Sequence, residues 1–330
     1  LVLLLGFLSI LVVQNRRIAR EQTHALREAT TAQRVVDFLV EMFHQSDPRI
    51  GQVDTAEEIL AIGRERVAQL DDAPEVRARL LLTMGVVHME MGRLEVGESL
   101  LEESLALYSR SGSDLGQRAN AQDALATLLR QTGELERAEV LQRTALDTRS
   151  QLYGPADIRT LSSQSNLAVI LQTRGALEDA DRLFREALSR WPADSSERQR
   201  AITVRHNIAT VAMERGSFAE AESLLTGIVR ERSVLLGPGH LETLEARSNL
   251  AFCQAETGRL DAAIELWEEV LSLEQEELGP GHPNALRTAT NLASAYSEIG
   301  DFDRADTLLV AILQASRESL GDTGRGTLAA

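Results

Sequence analysis

The chain has 330 residues, of which 43% are hydrophobic and 25% charged, so it is too apolar for a disordered tail, and its 7 prolines and 22 glycines are too few for a fibrous chain. Its 50 acids outnumber its 34 bases, every base is an arginine, and the formal charge of −16 excludes sequence-independent binding to phosphate backbones. A single cysteine, Cys253, excludes an intramolecular disulfide and every multi-thiolate metal site.

Residues 1–13, LVLLLGFLSILVV, carry no charge and run straight into Gln14-Asn15-Arg16-Arg17, the pattern of a membrane span meeting water. At about 1.5 Å per residue this stretch reaches roughly 20 Å against a hydrocarbon core of about 30 Å. It therefore reads as the end of a truncated transmembrane helix whose remainder would lie upstream. The alternative is a signal-peptide core, against which no basic residue precedes the run and no small-x-small site comes after it. Arg16, Arg17 and Arg20 favour a cytoplasmic side for the rest of the chain.

Residues 14–46 lack proline and glycine and end at Asp47-Pro48, which predicts one connecting helix. Ile18, Ala25, Ala32 and Leu39 interleave with Gln22, Ala29, Val36 and Phe43 at coiled-coil spacing. Two readings are open: a short seam that pairs two copies into a homodimer, or docking of Val35, Val36, Leu39 and Phe43 on the next domain. Residues 54–72 open on an Asp54-Thr55 cap signal and predict an N-terminal capping helix.

From residue 75 to 320 one pattern recurs six times. The glycines Gly92, Gly133, Gly175, Gly216, Gly258 and Gly300 stand 41, 42, 41, 42 and 42 residues apart. A large apolar residue comes after each at +2 (Leu94, Leu135, Leu177, Phe218, Leu260, Phe302) and a small one at +5 (Gly97, Ala138, Ala180, Ala221, Ala263, Ala305). Seven residues before each glycine lies another small residue: Gly85, Ala126, Ala168, Ala209, Ala251 and Ala293. Small residues on two helices let their backbones approach, a glycine makes the turn between them, and apolar positions step by three and four. The prediction is all-α: six helical hairpins stacked as an α-solenoid. Residues 321–330 read as the start of a further repeat or as a tail.

This pattern resembles the tetratricopeptide repeat family, and its 41–42-residue period is similar to the kinesin-light-chain type. The segments that carry the likeness are LYGPADIRTLSSQSNLA (152–168), LLGPGHLETLEARSNLA (235–251) and ELGPGHPNALRTATNLA (277–293). The first unit departs, with Gly97 in place of alanine and no Gly-Pro turn after it. The resemblance implies a right-handed superhelix that binds protein or peptide in a concave groove. The order of apolar span, NRRIAREQTHALREATTAQRVVDFLVEMFHQSDP and then repeats is also similar to the C-terminal half of bacterial membrane-anchored serine/threonine protein kinases. That likeness implies a single-pass membrane protein with its repeats outside the cytoplasm, opposite to the side the arginines favour.

No catalytic motif is visible: no glycine-rich phosphate loop, no H-R-D-x-x-x-x-N, no D-F-G and no lysine, so no enzyme and no cofactor are expected. His240 and His282 lie 42 residues apart in equivalent turns, so repetition rather than metal binding explains them. Cys253 and Trp267 read as core residues. The candidate site is an asparagine series nine residues before the glycine: Asn166, Asn207, Asn249 and Asn291, with Thr83 and Ala124 in the first two units. Asparagine is a poor helix-interior residue, so four in register require a reason. By the resemblance they line the concave face, where an amide can both donate to and accept from an extended peptide; the alternative is that they brace neighbouring helices. Glu90, Glu214, Glu256 and Glu298, two residues before the glycine, put acid along one rim. The positions where a carboxylate clamp would hold bases are Leu82, Asp123, Ser165, His206, Ser248 and Thr290, so the expected partner is an internal, neutral or basic protein segment and not a chain terminus.

Overall fold

The computed structural model describes residues 63–70, 73–112, 114–192 and 195–320. The expected membrane span (1–13), the connecting helix (14–46), the first part of the capping helix and the tail from 321 lie outside the described residues. Within them the chain is helical and contains no strand. It divides into two compact units, one up to Gly154 and one from Pro155.

In the first unit residues 63–68 are helical and are followed by two hairpins, α1 (Pro74–Glu90) with α2 (Leu94–Ser111) and α3 (Leu115–Thr132) with α4 (Leu135–Tyr153). Val67 is buried against Val76, Leu80, Leu81, Met84 and Leu100 of α1 and α2. The second unit holds four hairpins: α5 (Ile158–Thr173) with α6 (Leu177–Arg190), α7 (Arg198–Glu214) with α8 (Phe218–Leu235), α9 (Leu241–Glu256) with α10 (Leu260–Leu278), and α11 (Pro283–Glu298) with α12 (Phe302–Leu320). A 3₁₀ turn at Ser195–Glu197 precedes α7.

Each hairpin turns on the glycine of the sequence pattern. The six have φ between 72° and 86°, a left-handed conformation that side-chain-bearing residues adopt at a cost. Around Gly216, the Gly216 N–H donates to Met213 O (2.9 Å) and the Ser217 N–H to Ala212 O (2.8 Å), the paired bonds that satisfy a helix's last carbonyls.

The small residues mark where the two helices of a hairpin touch. Ala126, Ala138, Ala168, Ala180, Ala209, Ala221, Ala251 and Ala263 are each 0% exposed. The departure in the first unit has a steric cause. A Cβ on Gly97 would lie 3.1 Å from the Gly85 carbonyl oxygen and 3.1 Å from Leu128 Cδ1, and one on Gly85 would lie 2.7 Å from Leu101 Cγ. Here α1 and α2 approach more closely than an alanine pair would allow.

Large side chains fill the layers between hairpins. In the second unit Ile264, Trp267 and Leu271 of α10 share a core with Ala285, Ala289 and Leu292 of α11. Ile202, Leu225 and Ile228 pack with Cys253, whose thiol is buried. Cys253 and Trp267 are thus core residues, as expected. In the linkers, Asp157, His240 and His282 are helix N-caps: their side chains accept from the N–H groups of Arg159 (2.9 Å), Glu242 (3.2 Å) and Asn284 (3.2 Å). Both repeated histidines therefore serve the start of a helix.

Candidate functional site

The four asparagines occupy the same register on α5, α7, α9 and α11, all inside the second unit, and all four are half-buried. These are the first helices of their hairpins. Neighbouring first helices pack directly on one another, α5 on α7 and α9 on α11, and no two second helices do so to a like degree among the described residues. The asparagine register runs along this first-helix side, on α5, α7, α9 and α11, whose direct contacts are closest at two of their three junctions.

Their hydrogen bonding divides them. The Asn249 amide lies 3.1 Å from Nε2 of His206, one hairpin back. Bracing between neighbouring helices is therefore real at this rung. The side chains of Asn207 and Asn291 take no hydrogen bond among the described residues. Asn166 has a polar interaction of its own within the fold.

The three glutamates of this unit sit at the exposed ends of α7, α9 and α11. Glu214 accepts a hydrogen bond from Gln172 Nε2 at 2.6 Å, and the same amide lies 3.3 Å from Thr210 Oγ1. Gln172 thus ties α5 to α7 at the rim, a contact that no spacing rule singled out. Glu256 and Glu298 form no ion pair among the described residues. Glu90 ends α1 of the other unit and is exposed.

Of the six positions that would serve a carboxylate clamp, three are buried, Leu82 and Asp123 are half-buried and Thr290 is exposed. Ser165, His206 and Ser248 are 8%, 5% and 0% exposed. Ser165 donates to Leu161 O (3.0 Å), and Ser248 and Thr288 hydroxyls lie 3.3 Å apart. In the first unit Asp123 accepts from Gln142 Nε2 (2.6 Å) and pairs with Arg149 (3.3 Å). Ser165 is thus spent within its own helix, Asp123 within its hairpin and Ser248 between two hairpins, and none of the six positions carries an arginine or lysine for a terminal carboxylate.

Behind the face lies a buried polar layer. Arg232 on α8 is 3% exposed; it donates to Glu242 O at 2.8 Å and pairs with the Glu242 carboxylate at 3.1 Å. His206 stands beside it, and burial, with Arg232 and Arg287 nearby, lowers its pKa to about 4, so it is neutral at physiological pH. Glu274 of α10 is 0% exposed, and neither carboxyl oxygen makes a hydrogen bond of ordinary geometry. Sequence reasoning treats charged helix residues as solvated, and only the register of one hairpin against the next reveals these exceptions.

No group of three or more His, Cys, Asp or Glu that could hold a metal occurs among the described residues. Burial raises the Cys253 thiol to about 11, so it is no nucleophile. None of the described helices is long and apolar enough to cross a membrane.

Comparison with known proteins agrees with this architecture. The tetratricopeptide repeat family profile matches residues 76–149, 117–193, 200–273 and 245–318, well over half of the chain. No curated protein matches. Among solved structures, a Podosopora anserina protein described as a kinesin light chain with nearly identical TPR-like repeats is 24% identical; the match covers 63% of this chain and 98% of that one, with a TM-score of 0.54. BtubC (BKLC) from P. vanneervenii is 22% identical over 69% of this chain and 91% of its own, with a TM-score of 0.55. The apo quorum sensor NprR from B. thuringiensis is 12% identical over 88% and 99%, with a TM-score of 0.54. At such identities these likenesses concern the fold, and the profile match concerns descent: the chain belongs to the tetratricopeptide repeat family.

Proposed function

We propose that this chain is a non-catalytic interaction scaffold that binds an extended, internal, neutral or basic protein segment along the first-helix face of residues 155–320. One observation carries the reading: Asn207 and Asn291 are half-buried, in register and without an internal hydrogen bond among the described residues, and Glu256 and Glu298 are exposed at the ends of helices in the same series. A half-buried amide with no internal partner can bind a peptide backbone in both directions, donating and accepting, and leaves the fold intact when it does so. The acidic rim and the formal charge of −16 favour a basic partner over an acidic one.

The test is display selection of 12-residue peptides on the immobilised protein. Selected sequences should be neutral or basic, and replacing Asn166, Asn207, Asn249 and Asn291 together by alanine should weaken the best peptide at least tenfold. Equal affinity of the fourfold variant and the wild type refutes the reading.

In the same proposal the scaffold belongs to a membrane-tethered signalling protein resembling bacterial membrane-anchored serine/threonine kinases, single-pass through residues 1–13. The sequence order of apolar run, arginines, connecting segment and repeats supports it. Cysteine labelling from either side of the membrane distinguishes an extracytoplasmic from a cytoplasmic location of the repeats. A second reading, homodimerisation through the 14–46 seam, is supported by the apolar spacing that includes Val36, Leu39 and Phe43. It requires dimers in sedimentation that Leu39→Glu abolishes.

A further inference from the structure

One groove in the first unit is apolar where the repeat otherwise keeps the same surface polar. It lies between α2 and α4 and holds about 630 Å³, with Leu105 and Ala106 on one wall, Val140 and Leu141 on the other. Leu125 of α3, 3% exposed, lies beneath them. Val140 stands seven residues after its turn glycine, where the other hairpins have Ser99, Arg182, Ser223, Glu265 and Thr307. Ala106 stands fourteen after its own, where the others have Asp147, Ser189, Arg230, Ser272 and Gln314. Every one of these positions is exposed, so no contact inside the array demands an apolar residue at Val140 or Ala106. Apolar side chains gathered in a groove on an otherwise polar face point to an occupant. The groove is also preformed: Arg137 of α4 pairs with Glu102 and Glu98 of α2 at 2.9 Å and 3.3 Å and ties the two walls together.

The chain itself supplies the occupant. Residues 63–68 are helical, and Val67 is buried against Leu100 of α2, the helix that forms the first wall. Residues 14–62 therefore join the array beside the groove. In them Ala32, Val36, Leu39 and Phe43 fall at i, i+4, i+7 and i+11, one stripe of a helix, in a stretch without proline or glycine. Anchors at this spacing suit a helix laid in an apolar groove. Residues 44–62 separate Phe43 from Gly63. If 54–62 is helical, as its sequence predicts, residues 44–53 still reach about 30 Å, and a helix is only about 10 Å across. The tether can thus pass around α2. It also gives the segment an effective concentration on the order of millimolar at the groove, which a separate partner would have to exceed.

We infer that Ala32, Val36, Leu39 and Phe43 pack as one helical face into the α2–α4 groove of their own chain, with Leu39 against Val140. The same side chains cannot face a groove and a second copy at once, so this docking excludes the coiled-coil seam. It is independent of the peptide-binding reading, which concerns residues 155–320.

The test uses the full 330-residue chain in detergent micelles, with Cys253→Ala to remove its one thiol. On mild oxidation Leu39→Cys with Val140→Cys should crosslink within one chain. Leu39→Cys with Thr83→Cys, an exposed first-helix position of the same unit, should not. Equal yields at the two positions overturn the inference, and so does a crosslink between two chains, the result expected of the seam. A second measurement needs no cysteine. Hydrogen exchange of residues 32–43 should be slowed at least about tenfold in the wild type, and Val140→Glu should abolish that protection while α1 to α4 keep theirs. Val140 is 65% exposed, so the substitution leaves the hairpins folded. Absent protection in the wild type, or protection unchanged by Val140→Glu, also overturns the docking.

Discussion

At the residue scale, single side chains hold positions that few substitutes can fill. Gly97 faces the Gly85 carbonyl, and the atoms its Cβ would meet are a backbone oxygen and the backbone nitrogen of Met89 as well as Leu128. Backbone atoms cannot swing aside, so Gly97→Ala should destabilise the first unit by about 1–3 kcal/mol, measured by urea unfolding, although alanine is the residue used at that place in every other hairpin. Phe184 is 0% exposed and Phe302 is 64% exposed. Truncation to alanine should cost about 3–5 kcal/mol at Phe184, and under about 1 kcal/mol at Phe302. His282 caps α11 through its ring nitrogen, in the role Asp157 has at α5. His282→Ala should therefore cost about 1 kcal/mol in the same assay, and His282→Asp should restore most of it.

At the element scale, the interfaces between hairpins carry ionisable groups. Glu274 lies where α10 meets α11, fully buried, with the Ser248 and Thr288 hydroxyls, both 0% exposed, and the Trp267 indole in the same layer; the indole N–H donates to Ser248 O at 3.2 Å. Burial raises the pKa of its carboxyl above the ordinary value; the Thr288 hydroxyl, Arg287 and His282 act in the opposite direction, and Glu245 reinforces the rise. The folded protein therefore holds this proton more tightly than the unfolded chain does. Its contribution to stability is present below the ordinary carboxylate range and is lost as pH rises through the raised value. Denaturation followed by Trp267 fluorescence in a Trp191→Phe background should show this interface weaker at pH 8 than at pH 5. Glu274→Gln should remove that slope and add on the order of 1 kcal/mol at pH 8. A slope unchanged by the substitution would locate the pH dependence elsewhere.

At the scale of the whole molecule, a stack of hairpins is held by contacts between nearest neighbours, so stability is local. The α7–α8 hairpin has a hairpin on either side, and the outer face of α11–α12 is open among the described residues, with Ile299, Phe302 and Val310 45%, 64% and 66% exposed. Hydrogen exchange should therefore proceed sooner in α11 and α12 than in α7 and α8. Equal protection would mean that another part of the chain covers that face. The formal charge of −16 acts over this scale too, and affinity for a basic peptide should fall as salt is raised from about 50 to 500 mM.

The sequence by itself determined the helical hairpins, their number and their turns. A glycine at positive φ and a small residue at a helix contact are local demands, each met by one residue type, and repetition at 41 or 42 residues makes them visible. It also located the asparagine register, because a poor helix former recurring in helices is a local anomaly. Only the tertiary structure decided which polar groups are buried and what they bind: His206 against Asn249, Gln172 on Glu214, Arg232 on Glu242, and Glu274 sealed in its layer. Those partners lie up to 43 residues away, on another hairpin. Their meeting depends on how one hairpin is turned and shifted against the next, a geometry set by the summed packing of many large side chains and by no single residue's spacing.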